Sequence, residues 1–145
     1  MNTDPALATG AAGYNKPLPK LDSLHRPFWD EARNHRLVVQ ACEDCNDLHF
    51  PPSPVCPNCL SKNQGWQEVS GRGTLMSWVV FHRAYWAGFM KELPYMVCLV
   101  QLEEGPSLVS NLVKTAGHEI AVGMPVRVVF EAATAEIAVP KFAPA

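Results

Sequence analysis

The chain has 145 residues, 48% of them hydrophobic and 18% charged, which suits one compact domain or two very small ones. Lys and Arg number 12 against 14 Asp and Glu, a net charge of −2. That balance argues against a nucleic-acid partner, because phosphate neutralisation supplies most of such affinity. No apolar run approaches the roughly 20 residues that cross a bilayer, and no Lys/Arg cluster suits an anionic membrane surface. The opening MNTDPALATGAAGYNKPLPK lacks the basic start and apolar core of an export signal. A cytoplasmic location without membrane contact is the expectation.

Residues 1–20, rich in Ala, Gly, Pro and Asn and without an apolar period, read as a disordered arm or one that orders on a partner. Residues 21–36 hold a short helix, with Ser23 as a possible cap or Pro27 in its first turn. Phe28 and Ala32 share a face four residues apart. A helix this short is marginal alone, so Phe28 and Trp29 pack on the body of the chain or on another subunit.

Residues 37–69 form the next unit. LVVQA (37–41) reads as a strand entering a first cysteine pair, HFPPSPV (49–55) as an extended return to a second, and WQEVS as a short closing strand. From residue 70 the pattern is β-rich. GRGTLMSWVVFHRAY, PYMVCLVQLEEG, PSLVSNLV, MPVRVVFEA and AEIAVPKF give five strands divided by turn signals. Over residues 70–142 this predicts a small antiparallel barrel, with an OB-fold the natural candidate; residues 143–145 are left as a tail. The fold class is mainly β.

The strongest chemical signal is Cys42-x-x-Cys45, ten intervening residues, then Cys56-x-x-Cys59. Two C-x-x-C turns facing one another supply four tetrahedral thiolates, and no position stays open for water or substrate, so the site is structural. Iron bound as in rubredoxin, a redox dithiol and two disulfides are competing uses of the spacing. Without an export signal, zinc is favoured. So short a span cannot fold on apolar burial, so the metal supplies the folding free energy. Cys98, alone in YMVCLV, reads as a small buried hydrophobe.

The order of features resembles the DUF35 family of small OB-fold proteins with a rubredoxin-like zinc ribbon. Pro27-Phe28-Trp29, the two cysteine pairs, Leu48-His49-Phe50-Pro51-Pro52, Gly71-Arg72-Gly73-Thr74, Asn111-Leu112-Val113, Gly123-Met124-Pro125-Val126 and Val139-Pro140-x-Phe142 carry the likeness over about residues 21–142. Asn46 and Leu60 stand where the family often has glycine. The resemblance implies a helix, a rubredoxin-like zinc ribbon with one structural Zn2+ and a five-stranded OB-fold barrel. It also implies a non-catalytic subunit that a thiolase-type acyl-CoA enzyme needs, in a hetero-oligomer, with contact to a coenzyme A ester at the interface. A scaffold for a MaoC-like enoyl-CoA hydratase is the alternative, and a zinc-ribbon/OB nucleic-acid module a third.

No G-x-S-x-G, H-E-x-x-H or G-x-x-x-x-G-K motif occurs, and none of the five histidines forms a motif with a cysteine or carboxylate. His82 beside Arg83 is the one histidine kept as a site candidate. The segment 81–95 joins two strands yet carries Tyr85, Trp86, Phe89, Met90 and Tyr95, the composition of interface cores. Phe28, Trp29, Tyr85, Trp86 and Phe89 are therefore the expected partner surface. Arg72, Arg83, Lys91, Lys114 and Arg127 are cations available to a phosphate-bearing ligand.

Overall fold

The computed structural model describes residues 14–145. Helix α1 (Arg26–Arg33) has Pro27 in its first turn, where the missing N–H costs nothing. Ser23 is not its cap. The Asp22 carboxylate instead accepts the His25 N–H at 2.9 Å. Phe28 and Ala32 are both buried. The helix stops where His35 takes a left-handed φ of 59° and its ring stacks on Phe130 at 5.2 Å.

Strands β1 (Val38–Cys42), β2 (Leu48–His49) and β3 (Gln64–Glu68) form a three-stranded sheet with β1 central. Strands β4 (Arg72–Phe81), β5 (Tyr95–Leu102), β6 (Ser107–Leu112), β7 (Pro125–Ala132) and β8 (Ala138–Pro144) close a barrel in the order β4-β5-β6-β8-β7. The barrel is not wholly antiparallel as expected, because β8 runs parallel to β6. A strand that returns between β6 and β7 must be parallel to one of them when those two run in opposite directions, as they do here. A 3₁₀ helix, Ala87–Glu92, bridges β4 and β5.

Gly71 opens the barrel at φ +76°, and a Cβ there would fall 2.4 Å from Val128 Cγ1. Only glycine combines that φ with so close an approach. Inside, Leu75, Val100, Val126 and Phe142 are at most 1% exposed. They belong to one core cluster with Phe28, Leu37, Val38 and Val39, so α1 and β1 seal one end of the barrel. The described residues contain no helix long and apolar enough to cross a membrane.

Two sequence boundaries move. Ala143 and Pro144 are no tail. They are buried in β8, paired with Arg127 and Val126. Of the expected arm, residues 1–13 lie outside the described residues, but residues 14–20 are anchored on the barrel. Leu18 is buried against Ala133 and Ile137. Lys16 Nζ bonds the Glu92 carboxylate at 2.8 Å and Glu131 at 3.4 Å, and lies 5.2 Å from the centre of the Phe89 ring. Leu18, the partly buried Tyr14 and one paired cation hold this stretch without any periodic pattern.

Candidate functional site

The two cysteine turns are built alike. After β1 delivers Cys42, the Asn46 N–H bonds the Cys42 carbonyl at 2.9 Å and the Cys42 N–H bonds the Asp47 carbonyl at 2.9 Å. Fourteen residues on, Leu60 N–H bonds the Cys56 carbonyl at 2.9 Å and Cys56 N–H bonds the Ser61 carbonyl at 2.8 Å. Both turns need a left-handed residue, and it is Asn46 (φ 60°) and Leu60 (φ 63°) that supply it. Asparagine visits that region readily; leucine does so only under constraint.

These turns bring all four sulfurs within 4.8 Å of one another. Cys42 and Cys59, and Cys45 and Cys56, stand 3.6 Å apart. Four ligands at a Zn–S distance of about 2.3 Å in a tetrahedron place their sulfurs roughly 3.8 Å apart, so the donor set fits zinc with little adjustment. The Asn58 N–H points at Cys56 Sγ (3.4 Å) and its side-chain amide at Cys45 Sγ (3.5 Å). Asp44 accepts hydrogen bonds from Ser61 and, at 3.0 Å, from Asn63, tying the second turn to the first.

The thiols are electrostatically unequal. Burial pushes Cys42 up, but the backbone N–H groups of Cys45 and Asp44 and the neighbouring sulfurs bring it down to about 6. For Cys59 the Ser61 N–H favours the thiolate, yet the Cys45 sulfur, burial and the remaining sulfurs outweigh it and push the thiol up to about 12. Four crowded sulfurs do not all ionise without a central cation, and a divalent ion in the tetrahedron removes that conflict. With all four positions filled by protein, such an ion would have no vacancy for substrate.

His49 is buried behind this centre. Ser53 N–H and His49 Nε2 both bond Gln40 Oε1, at 2.6 and 2.9 Å. The Ser53 donor requires the Gln40 oxygen at that position, so the Nε2 proton is donated to it. His49 is thus a packed residue of the ribbon, and Nδ1 faces the Asp47 carboxylate at 3.4 Å.

The expected partner surface divides in two. Phe28 is 5% exposed and sits edge-on to Trp29 at 5.0 Å and against Phe50 at 5.4 Å. Trp29 packs on both core clusters. Phe28 is spent inside the chain, and Trp29, partly buried against it, keeps only part of its ring towards solvent. Their spacing could not distinguish an inner from an outer contact. Tyr85 and Trp86, by contrast, are 65% and 52% exposed. Phe89 is half-buried, tilted against Tyr95 at 5.0 Å with Lys16 over its ring. His82 is exposed and joins no cluster of ligating residues among those described.

Of the cations, Arg72 is engaged with Glu103 at 3.0 Å and Arg83 lies 5.5 Å from the Tyr85 ring centre. Sequence reasoning missed Lys16 and Lys141. Lys141 is buried, bonding Glu131 at 2.7 Å. Burial works against ionisation of Glu131, but Lys141 and Lys16 hold its carboxyl below the usual carboxylate range. Beside this pair lies a cleft of about 530 Å³ lined by Phe89, Tyr95, Met96, Leu112, Lys114 and Lys141. A lysine inside the strand pattern VPKF was the only signal for it.

A four-cysteine ribbon capping an OB barrel defines a two-part metal-stabilised module with no reactive centre at its metal. Family models for ChsH2 match in that order, the rubredoxin-like zinc ribbon domain over residues 29–63 and the C-terminal OB-fold domain over 66–131. The chain is 37% identical over 103 residues to a DUF35 domain-containing scaffold protein of Pyrococcus furiosus, covering 70% of this chain and 74% of that one. It is 38% identical over 130 residues to a probable enoyl-CoA hydratase alpha subunit of Thermomonospora curvata, covering 90% of this chain but 40% of that protein. A solved chain described as Ltp2-ChsH2(DUF35) aldolase superposes with a TM-score of 0.78 at 38% identity, covering 88% of this chain and 98% of that one. The protein belongs to the DUF35 family.

Proposed function

We propose that this chain is a non-catalytic subunit of an enzyme assembly that acts on acyl-CoA esters. Its zinc stiffens the ribbon and its barrel presents a docking lobe to the partner. The observation that carries this reading is the pairing of a metal centre closed by four thiolates with the exposed Tyr85–Trp86–Met90 lobe, where Met90 is 65% exposed. The first cannot bind substrate, and the second has the composition of an interface anchor. The relatives' names, a hydratase alpha subunit and an aldolase pairing, support a partner enzyme for this chain as well.

The finer proposal is a thiolase-type partner. Thiolases and aldolases both make or break carbon–carbon bonds, and an aldolase is what the solved relative is described with. A coenzyme A ester shared at the interface belongs to the same proposal, with Lys114 at the cleft as a candidate phosphate contact. The second reading, a subunit of an enoyl-CoA hydratase, is favoured by the 38% identity to the Thermomonospora curvata protein.

Co-expression with a thiolase-type and, separately, a MaoC-type protein encoded nearby tests both. The expected result is one zinc-containing complex on size exclusion, active only with both subunits present and weakened by Trp86→Ala. Full turnover by the partner alone, with no complex in either pairing, overturns the proposal.

A further inference from the structure

Strand β6 pairs with β5 along its whole length but meets β8 at one register position, Leu112↔Phe142. Hydrogen bonds at its two ends fix which way its backbone faces. Leu102 N–H bonds the Pro106 carbonyl at 2.9 Å, so in the alternating antiparallel ladder Leu108 and Ser110 exchange bonds with β5. Val113 N–H bonds the Phe142 carbonyl at 2.8 Å, so the odd-numbered residues face the other way. The N–H and C=O groups of Ser107 and Val109 therefore point out of the barrel on the β8 side, and no described strand meets them. The cause is in the sequence of β8. Pro140, level with Ser110, has no N–H to give, and Ser110 Oγ bonds the Pro140 carbonyl at 2.8 Å in place of a ladder.

This open edge borders an apolar sheet face. Val109 is 69% and Val79 54% exposed. Val97 and Leu99 lie between them on the same face, by the registers Val79↔Val97 and Leu99↔Val109. Ser77, Gln101, Ser107 and Asn111 flank that stripe on the same face, and none of these residues is charged; the charged Arg72, paired with Glu103, lies at the far end of β4, away from the β6 edge. Natural edges are usually blunted by lysine, proline or an inward charge, and here the exposed stretch Ser107–Asn111 has none.

We propose that the β6 edge is a homodimer contact, in which a second copy of this chain adds its own β6 antiparallel to the first. A two-fold axis at Leu108 sets Ser107 of one copy against Val109 of the other, twice over. Every outward N–H and C=O of those residues then finds a partner. The edge is its own complement, as an isologous interface requires. Two copies of a net-negative chain also meet here along an edge, Ser107–Asn111, that carries no charge, so the paired segments bring no like charges together. The Val79–Val97–Leu99–Val109 stripe of each copy runs to the seam and is partly covered by it. This inference is independent of the enzyme partner, and Tyr85 and Trp86 are outside the seam.

Sedimentation analysis of the zinc-loaded full chain across the micromolar range tests it, together with amide hydrogen exchange. The expected result is a concentration-dependent monomer–dimer equilibrium in which the Ser107 and Val109 amides become protected as the dimer forms. Val109→Lys should weaken the dimer by about tenfold or more, with zinc content unchanged. Val109→Thr, which keeps the main-chain bonds and strand propensity, should stay within a few-fold of the parent. A chain monomeric throughout, a dimer that Val109→Lys leaves intact, or a Val109 amide whose exchange ignores concentration would each overturn the proposal. Should Val109→Lys disturb the thermal transition, the amide exchange of the unsubstituted chain decides.

Discussion

The ribbon and the barrel are held together by different physics. Between residues 43 and 68 the only buried side chains are His49 and Cys56. The barrel instead buries Leu75, Val100, Val126 and Phe142 almost completely. One unit relies on four sulfurs and a cation, the other on close-packed hydrocarbon. The contrast shows why a short, proline-rich loop region can be as well defined as a sheet: four ligand bonds constrain what apolar area cannot.

The largest effect should come from attacking the metal. Structural zinc contributes about 10–16 kcal/mol of apparent folding free energy in zinc-finger peptides. Chelation, or Cys42→Ser, should unfold residues 43–63 while the barrel strands keep their amide protection, read by hydrogen exchange. Loss of protection across β4–β8 at the same chelator concentration would erase the distinction between the units. Next comes Phe142→Ala, which opens a cavity at the centre of the barrel and should cost about 3–5 kcal/mol. Its signature is a lowered denaturation midpoint with zinc affinity nearly unchanged. The smallest effect sharpens the comparison from inside the ribbon. Leu60 is 73% exposed at φ 63°, so Leu60→Gly loses no packing and relieves a left-handed leucine. It should stabilise the zinc-bound ribbon by about 1 kcal/mol, roughly fivefold in zinc affinity. Asn46→Gly should give less, because asparagine tolerates that conformation.

The ribbon was legible because metal ligation writes itself as spacing. Cys42, Cys45, Cys56 and Cys59 had only one arrangement in which all could converge. Strand periodicity likewise exposed the five barrel segments, and their closure into an OB-fold followed. What sequence could not show was direction. Phe28 and Tyr85 are both aromatic residues in short non-strand segments, yet one is core and the other surface, because α1 turns its Phe28 face onto the barrel end. The anchoring of residues 14–20 depends on Lys16 meeting Glu92 and Glu131, partners 76 and 115 residues away. The parallel β6–β8 pairing and the gap above it depend on where a returning strand lands, which Pro140 hints at but no local pattern fixes.

The shared core has a consequence for protein engineering. The ribbon and barrel matches meet between residues 63 and 66, inside β3, whose Gln64 pairs with Cys42 and whose Trp66 pairs with Gln40. A chimera spliced at that seam would cut a strand in two and detach Val38 and Val39 from the barrel cluster to which they belong. The two halves are therefore separable as patterns but not as building blocks. A graft that keeps the parent's behaviour has to carry α1, the whole ribbon sheet and the barrel end it plugs as a single cassette.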